Sequence, residues 1–126
     1  MSLKVRPMTS KDKPAIMQIL RNTSEFKPDE VVVAEEVVDS YLQNPSGSGY
    51  YALVAETDSA IAGYICFGPT PITEGTWDIY WLAVAREQRE HGIGRTLMAA
   101  AVDRIKQMQG RLVLVETSGK PEYKNA

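Results

Sequence analysis

The segment 77–98 limits the fold of this chain more than any other part of its sequence. An almost continuously apolar stretch, 77–84, leads into a charged loop that contains Gly92 and Gly94, and apolar residues at helical spacing follow the loop. Such a long apolar stretch is typical of a strand buried on both faces, and the spacing after the loop predicts a helix. The loop would direct backbone N–H groups to the positive end of a helix dipole, where phosphate oxygens bind.

Other glycine loops have to be weighed against a phosphate-binding loop. Two glycines alone would also fit an ordinary turn between a strand and a helix. The surrounding pattern favours phosphate binding, because another apolar strand follows the helix. A Rossmann dinucleotide loop is disfavoured, since Leu97 stands where the third glycine of G-x-G-x-x-G would be. The loop also lacks the G-K-[ST] sequence of a P-loop.

Size and composition narrow the class of protein. The chain has 126 residues, which suits a single compact domain over 1–126. Its formal net charge of −2 gives no reason to expect a nucleic-acid or membrane partner. The one cysteine, Cys66, excludes an intramolecular disulfide and a cysteine-rich metal site, and we predict no metal. Because the sequence shows no long apolar run and no leader, we expect a cytoplasmic protein.

Strand and helix patterns alternate along the rest of the chain. Apolar alternation marks the strands, and apolar residues three and four apart mark the helices. The predicted elements are a strand over 3–7, helices over 11–22 and 28–43, hairpin strands over 50–56 and 60–67, a strand over 77–84, a helix over 92–109 and a strand over 111–116. The last strand would be parallel to the strand before it, because the helix between them would be a crossover.

The apolar spacing also predicts which faces of the first and third helices are buried. The first helix would bury Ile16, Ile19 and Leu20. In the second helix the spacing supports only the helix itself, because Val31, Val32, Glu35, Val38 and Leu42 follow helical spacing. The third would bury Ile93, Leu97, Met98, Ala101, Ile105 and Met108, and Gly110 would end it.

The glycine loop, Arg89-Glu90-His91-Gly92-Ile93-Gly94, resembles the R-x-x-G-x-G motif that binds acetyl-CoA in the GNAT acyltransferases. Val5-Arg6-Pro7 followed by Asp12 looks like the opening of that family, so the resemblance covers nearly the whole chain. It implies an α/β (α+β) fold with a mixed, mostly antiparallel central sheet and helices on both faces. It also implies acetyl-CoA as the cofactor and a primary amine, on a small molecule or a peptide, as the acceptor.

The resemblance further implies which residues bind the cofactor. In that family the fourth and fifth strands splay apart, and the pantetheine arm bonds to the backbone of the fourth. Here Leu82 and Val84 would supply those groups, and an N–H near Leu82 or Ala83 would bind the thioester oxygen. The residues predicted to surround the phosphates are Arg89, Glu90, His91, Gly92, Ile93, Gly94, Arg95 and Thr96. The glycines would allow close approach and unusual backbone angles, and the arginines would add charge-assisted bonds.

The acceptor amine has to lose a proton before it can attack. An alkylammonium has a pKa of about 10, and a carboxylate could take its proton. Asp78 and Glu116 are the candidates, with Glu74 a further one, although each could equally be a solvated surface carboxylate. Tyr80 lies two residues after Asp78, on the same strand face, and could contact substrate or belong to the core. No side-chain nucleophile is required, so Cys66 is interpreted as a core residue.

The chain ends at Ala126, whereas GNAT relatives continue into a further helix and two strands. We therefore expect a C-terminally truncated form of the fold, whose apolar fifth strand a second copy could cover in a homodimer. Two functions stay open. One is an acetyl-CoA-dependent N-acetyltransferase, and the other is a catalytically impaired module that binds CoA or dimerises.

Overall fold

A computed structural model describes residues 3–58, 60–88 and 91–115 of the chain. These residues form a five-stranded sheet in the order β1-β2-β3-β4-β5. Its strands are β1 (Leu3–Pro7), β2 (Tyr51–Thr57), β3 (Ala60–Pro69), β4 (Thr76–Val84) and β5 (Leu112–Val115). Neighbouring strands from β1 to β4 are antiparallel, and β5 is parallel to β4. The predicted mixed, mostly antiparallel sheet is confirmed.

Helices cover both faces of this sheet, as predicted. They are α1 (Lys13–Arg21), α2 (Pro28–Gln43) and α3 (Ile93–Gln107), with short 3-10 turns at Ser10–Asp12 and Arg86–Gln88. One apolar core lies between the sheet and the α1–α2 pair, and the other lies between the sheet and α3. Among the described residues, no helix is long and apolar enough to cross a membrane.

The first helix begins two residues later than the predicted 11–22. The buried carboxylate of Asp12 accepts bonds from both terminal nitrogens of Arg6, at 2.8 and 2.9 Å, and from the Thr9 N–H at 2.8 Å. These contacts hold 10–12 in a tight 3-10 turn, so α1 starts at Lys13. The Arg6 hydrogen bonds lower the pKa of Asp12.

The second helix has the predicted bounds, and Val38, one of the residues at helical spacing, is buried. The side chains that α2 buries are Ala34, Val37, Val38 and Tyr41, whereas Val32 is 57% exposed. Valines occupy so many positions that their spacing alone fits several faces. On the flank of α2 next to α1, the Nζ of Lys13 lies 3.2 Å from Glu35 and 2.6 Å from Asp39.

The third helix buries Ile93, Leu97, Ala101 and Ile105, as predicted, while Met98 and Met108 are only partly buried. The sequence predicted that Gly110 would end this helix, but the helix already ends at Gln107. Gln109, and not the glycine, adopts the left-handed conformation, with φ of 64°. Gly110 lies so close to Trp77 that a Cβ there would be 2.8 Å from its ring and would clash with Ile105. The glycine is therefore needed for packing.

The predicted hairpin is confirmed in β2 and β3, but β4 differs from the strand predicted for 77–84. Trp77, Ile79 and Ala83 are buried, and the other side chains are only partly buried, so burial on both faces is incomplete. A β-bulge also interrupts β4, because Cys66 pairs with Trp81 while Phe67 pairs with Ile79. Tyr80 is the extra residue, and such a bulge changes which face the following side chains occupy.

Candidate acyl-donor and amine site

The paired part of β4 and β5 is short. The two strands pair from Thr76 with Leu112 to Ile79 with Val115. Beyond Ile79, no described residue of β5 pairs with 80–84. Within the described residues, the bulge at Tyr80 lies where the β4–β5 pairing ends, and we call the side of 80–84 that faces away from β3 the open edge of β4.

Main-chain groups of β4 point into this open edge. The Ala85 N–H donates to the Ala62 carbonyl oxygen at 2.7 Å, which makes this pair a hydrogen-bonded one. Hydrogen-bonded pairs alternate along an antiparallel ladder, so the N–H and C=O of Ala83 are directed at β3. Those of Leu82 and Val84 are directed away from β3. Of the two residues predicted to bind a thioester oxygen, Leu82 has the free N–H.

The N-terminus of α3 lies beside the far end of this edge. Gly92 caps the helix in the left-handed conformation, with φ of 74°, and no side chain caps it. The first N–H with a partner inside the helix belongs to Thr96, which donates to the Gly92 carbonyl oxygen at 3.0 Å. The N–H groups of Ile93, Gly94 and Arg95 consequently lack acceptors in the helix. A Cβ on Gly92 would meet none of the described atoms within 4 Å, so this side of the helix start is uncrowded.

Gly94 differs from its prediction. It lies inside the first turn of α3 and does not adopt a positive φ. A Cβ at this position would lie 3.6 Å from Val84 and 4.0 Å from Leu82, which is ordinary contact. The first turn of α3 therefore lies against the side chains of Leu82 and Val84, so the predicted edge and loop residues are neighbours. His91 and Arg95 are exposed there, while the predicted residues Arg89 and Glu90 lie outside the described residues.

The Asp78 carboxylate lies on the opposite face of β4 from α3. Its neighbours Trp77 and Ile79 pack in the α3 core, so alternation turns Asp78 towards the α1–α2 side. The Thr70 hydroxyl donates to Asp78 Oδ2 at 2.8 Å. Tyr80 packs on the same side, as predicted. Burial, followed by the charge of Asp78, raises the pKa of Tyr80.

The other carboxylate candidates are not part of this arrangement. Glu74 is exposed in the loop between β3 and β4. Glu116 lies outside the described residues.

The sequence prediction missed two partners of this face, Tyr50 and Thr70. The Tyr50 ring meets Tyr80 edge-on, with ring centroids 5.7 Å apart. Tyr50 is the first residue of the predicted hairpin, and Thr70 lies in a proline-rich break, so neither position carries a local signal for this site. The β3–β4 register places Gly68 opposite Asp78, which brings Thr70, two residues further along, within reach of the carboxylate.

Cys66 belongs to the core, as interpreted from the sequence. Its side chain is buried, and burial raises the pKa of the thiol to about 12. A thiol with that pKa stays protonated at neutral pH and is a poor nucleophile.

Comparison with known proteins identifies the family. No curated protein matches the chain. The chain matches the sequence model of the acetyltransferase (GNAT) family over residues 14–122. A GNAT-family protein from Desulfovibrio desulfuricans is 39% identical, with a TM-score of 0.88 over 95% of this chain and 76% of that one.

Two more distant solved structures share the fold. The ribosomal-protein-alanine N-acetyltransferase from Brucella melitensis is 18% identical, with a TM-score of 0.71 over 95% of this chain and 83% of that one. The PaiA N-acetyltransferase from Thermoplasma acidophilum, solved in complex with coenzyme A, is also 18% identical, with a TM-score of 0.71 over 94% and 83%. The family match and the 39% identical relative together show that this chain belongs to the GNAT family of acetyltransferases.

Proposed function

We propose that this protein transfers the acetyl group of acetyl-CoA to a primary amine, which attacks directly. Acetyl-CoA is the acyl donor of the family, and the PaiA relative was solved with coenzyme A. The observation that carries the proposal is that main-chain groups of β4 and the start of α3 lie next to each other. The open edge of β4 at Leu82 and Val84 lies beside the first turn of α3, where a Cβ on Gly94 would be 3.6 Å from Val84, and no side chain caps that helix.

The residues present fit the donor. The free N–H groups of Ile93, Gly94 and Arg95 suit the oxygens of a pyrophosphate, which the helix dipole also favours. The exposed Arg95 side chain, together with Arg89, would add charge-assisted bonds. The main-chain groups of Leu82 and Val84 would bond to the amides of the pantetheine arm, as an added strand does at a sheet edge.

Acetyl-CoA supplies a thioester, whose carbonyl carbon bonds to the amine nitrogen while its carbon–sulfur bond breaks. The Leu82 N–H would stabilise negative charge on the carbonyl oxygen, because it is a fixed donor at the open edge. Asp78 would accept protons from the amine, directly or through water, and pass them to solvent. The departing thiolate takes one proton from water. Glu116 stays an alternative proton acceptor.

Substitution of Gly92 tests the donor site. A valine at φ of 74° is strained, and its side chain would occupy the uncrowded space at the start of the helix. We expect Gly92→Val to weaken acetyl-CoA binding, measured by calorimetry, at least about tenfold.

Gly49→Val is the matched control. Gly49 also has a positive φ, 84°, and a Cβ there also meets nothing within 4 Å. Both variants should lose similar stability in thermal unfolding, but Gly49→Val should keep its affinity for acetyl-CoA. Unchanged affinity in Gly92→Val would exclude the proposed phosphate site. Binding without release of thiol to any amine would instead favour the catalytically impaired module.

We also propose that a second copy of the chain covers β5. This strand forms one edge of the described sheet, and its residues Leu112 and Val115 are 53% and 46% exposed. An apolar edge strand with unpaired N–H and C=O groups favours pairing with another strand.

A further inference from the structure

Three partly buried aromatic side chains line the face of β4 that carries Asp78. They are Tyr50, Tyr80 and Trp81, which all pack against the α1–α2 core. The Tyr50 and Tyr80 ring centroids lie 5.7 Å apart, and those of Tyr80 and Trp81 lie 6.2 Å apart. The rings thus form a continuous row, which we call the aromatic row.

The backbone places this row next to the reacting groups. Because Tyr80 is the extra residue of the bulge, Tyr80 and Trp81 both pack on the same side of the sheet. Trp81 directly precedes Leu82, whose free N–H is the proposed oxygen donor. A group attached to the attacking amine would therefore lie close to the aromatic row.

Gly68 fixes the position of the row. A Cβ on Gly68 would be 3.1 Å from Cε2 of Tyr80 and 2.6 Å from the carbonyl oxygen of Gly49. The absence of a side chain lets the Tyr80 ring lie against β3 and lets the turn before Tyr50 approach it. Aromatic contacts on the α3 side, such as Phe67 with Trp77, are buried in the core. The aromatic row differs from them because its rings stay partly accessible.

Asp78 has the Thr70 hydroxyl as its hydrogen-bond donor and an apolar side chain beside it on β5. Leu114, the register partner of Asp78 on β5, is 42% exposed. None of the ion pairs among the described residues includes Asp78. Lys13, on α1, is paired with Glu35 and Asp39. The described residues at this face therefore offer a carboxylate and apolar surface to a ligand, without a cation.

We propose that the acceptor is an arylalkylamine, a primary amine joined to an aromatic group and without a carboxylate beside the nitrogen. This rests on the proposed acetyl transfer and names its substrate class. The ammonium form is attracted to Asp78 and to the ring faces, while the aryl group packs on the aromatic row. A free α-amino acid would bring its carboxylate towards Asp78 with no partner to neutralise it.

The test compares 2-phenylethylamine with phenylalanine, which adds only the α-carboxylate. Calorimetry with the protein saturated with coenzyme A measures binding, and thiol release from acetyl-CoA measures turnover. We expect 2-phenylethylamine to bind at least about tenfold more tightly than phenylalanine. Equal binding, or preference for phenylalanine, would overturn the proposal.

Two neighbouring tyrosines provide matched variants. Tyr50→Leu should weaken 2-phenylethylamine binding about tenfold and leave coenzyme A binding unchanged. Tyr51→Leu is the control, because Tyr51 stacks on Phe67 in the α3 core, on the other face of the sheet. An equal loss in both variants, or in neither, would overturn the role of the aromatic row. Thermal unfolding of both variants separates loss of binding from loss of folding.

The two proposals can fail separately. Binding of 2-phenylethylamine that depends on Tyr50, without thiol release from any amine, would support the acceptor site and overturn acetyl transfer. Thiol release with amino acids but not with 2-phenylethylamine would support acetyl transfer and overturn the acceptor class.

Discussion

At the scale of single residues, one hydrogen bond distinguishes the two oxygens of Asp78. The Thr70 hydroxyl occupies Oδ2, at 2.8 Å, so Oδ1 remains to accept a proton from the amine. The sequence could nominate Asp78, because a carboxylate in an apolar strand is conspicuous. The sequence could not identify Thr70 as a partner of Asp78, because these two residues meet only through the β3–β4 register.

Replacement of Asp78 tests its proposed role. We expect Asp78→Asn to lower kcat/KM for the amine by about 10²-fold or more, because the amide cannot accept the proton. Its affinity for acetyl-CoA should not change. Glu74→Gln is the matched control, since Glu74 is exposed in a nearby loop, and its kcat/KM should equal that of the parent. If Asp78→Asn kept full activity while Glu116→Gln lost activity, Glu116 and not Asp78 would be the proton acceptor.

The buried thiol of Cys66 leads to a second prediction at this scale. Because its pKa is raised to about 12 and its side chain is buried, iodoacetamide at neutral pH should not alkylate it in the folded protein. Activity should therefore survive the treatment, and mass spectrometry should find the thiol unmodified. Alkylation after unfolding in urea is the positive control. Rapid inactivation with modified Cys66 would show that the thiol is accessible.

At the scale of elements, periodicity predicted that each helix and strand exists. It predicted less well how these elements pack against one another. The bounds of α2 follow from Pro28 and helical spacing, but the spacing does not predict the contacts of Lys13 of α1 with Glu35 and Asp39. The bulge in β4 likewise has no local sequence signal, because apolar residues stand on both sides of Tyr80. Both features arise from packing between elements distant in sequence.

The junction of β1, β2 and the first 3-10 turn makes stability depend on acid. Arg6 binds both Asp12 and Glu56, and its hydrogen bonds lower the pKa of Asp12 in the folded chain. The unfolded chain therefore binds the proton more readily. The stabilisation is complete above the ordinary pKa of 3.8 and is lost as pH falls through the lower folded value.

Thermal unfolding between pH 2 and pH 7 (about the range of carboxyl titration) measures this effect. Asp12→Asn should lose about 2 kcal/mol at neutral pH and show a weaker fall in stability at acid pH than the parent. Asp39→Asn is the control, because its carboxylate is 43% exposed and its loss should be smaller. Parallel pH profiles for the parent and Asp12→Asn would exclude this role.

At the scale of the whole molecule, the sheet separates two cores that serve different halves of the proposed site. The α3 side holds the helix N-terminus for phosphates, and the α1–α2 side exposes Asp78 and the aromatic row. The glycine motif and the order of elements were enough to predict the fold, and they supply the residues of the proposed donor half. The acceptor half lacks a comparable motif, because its residues come from β2, β3 and β4 and from loops between them.

The exposed edge of the sheet leads to a prediction about assembly. If a second copy pairs with β5, sedimentation velocity should show a concentration-dependent dimer, and Leu112→Lys should shift it to monomer by placing a charge at the interface. Val32→Lys is the control, since Val32 is 57% exposed on α2, away from β5. A monomer at all concentrations would exclude the homodimer.

Amine-dependent release of thiol tests acetyl transfer most directly. Purified protein is mixed with acetyl-CoA and a panel of primary amines that includes 2-phenylethylamine, and free thiol and acetylated amine are both quantified. We predict that both products form in equal amounts, and that Gly92→Val and Asp78→Asn each abolish most of this reaction. Thiol release that is no faster with amines than without them, from protein that binds acetyl-CoA, would contradict acetyl transfer at this site.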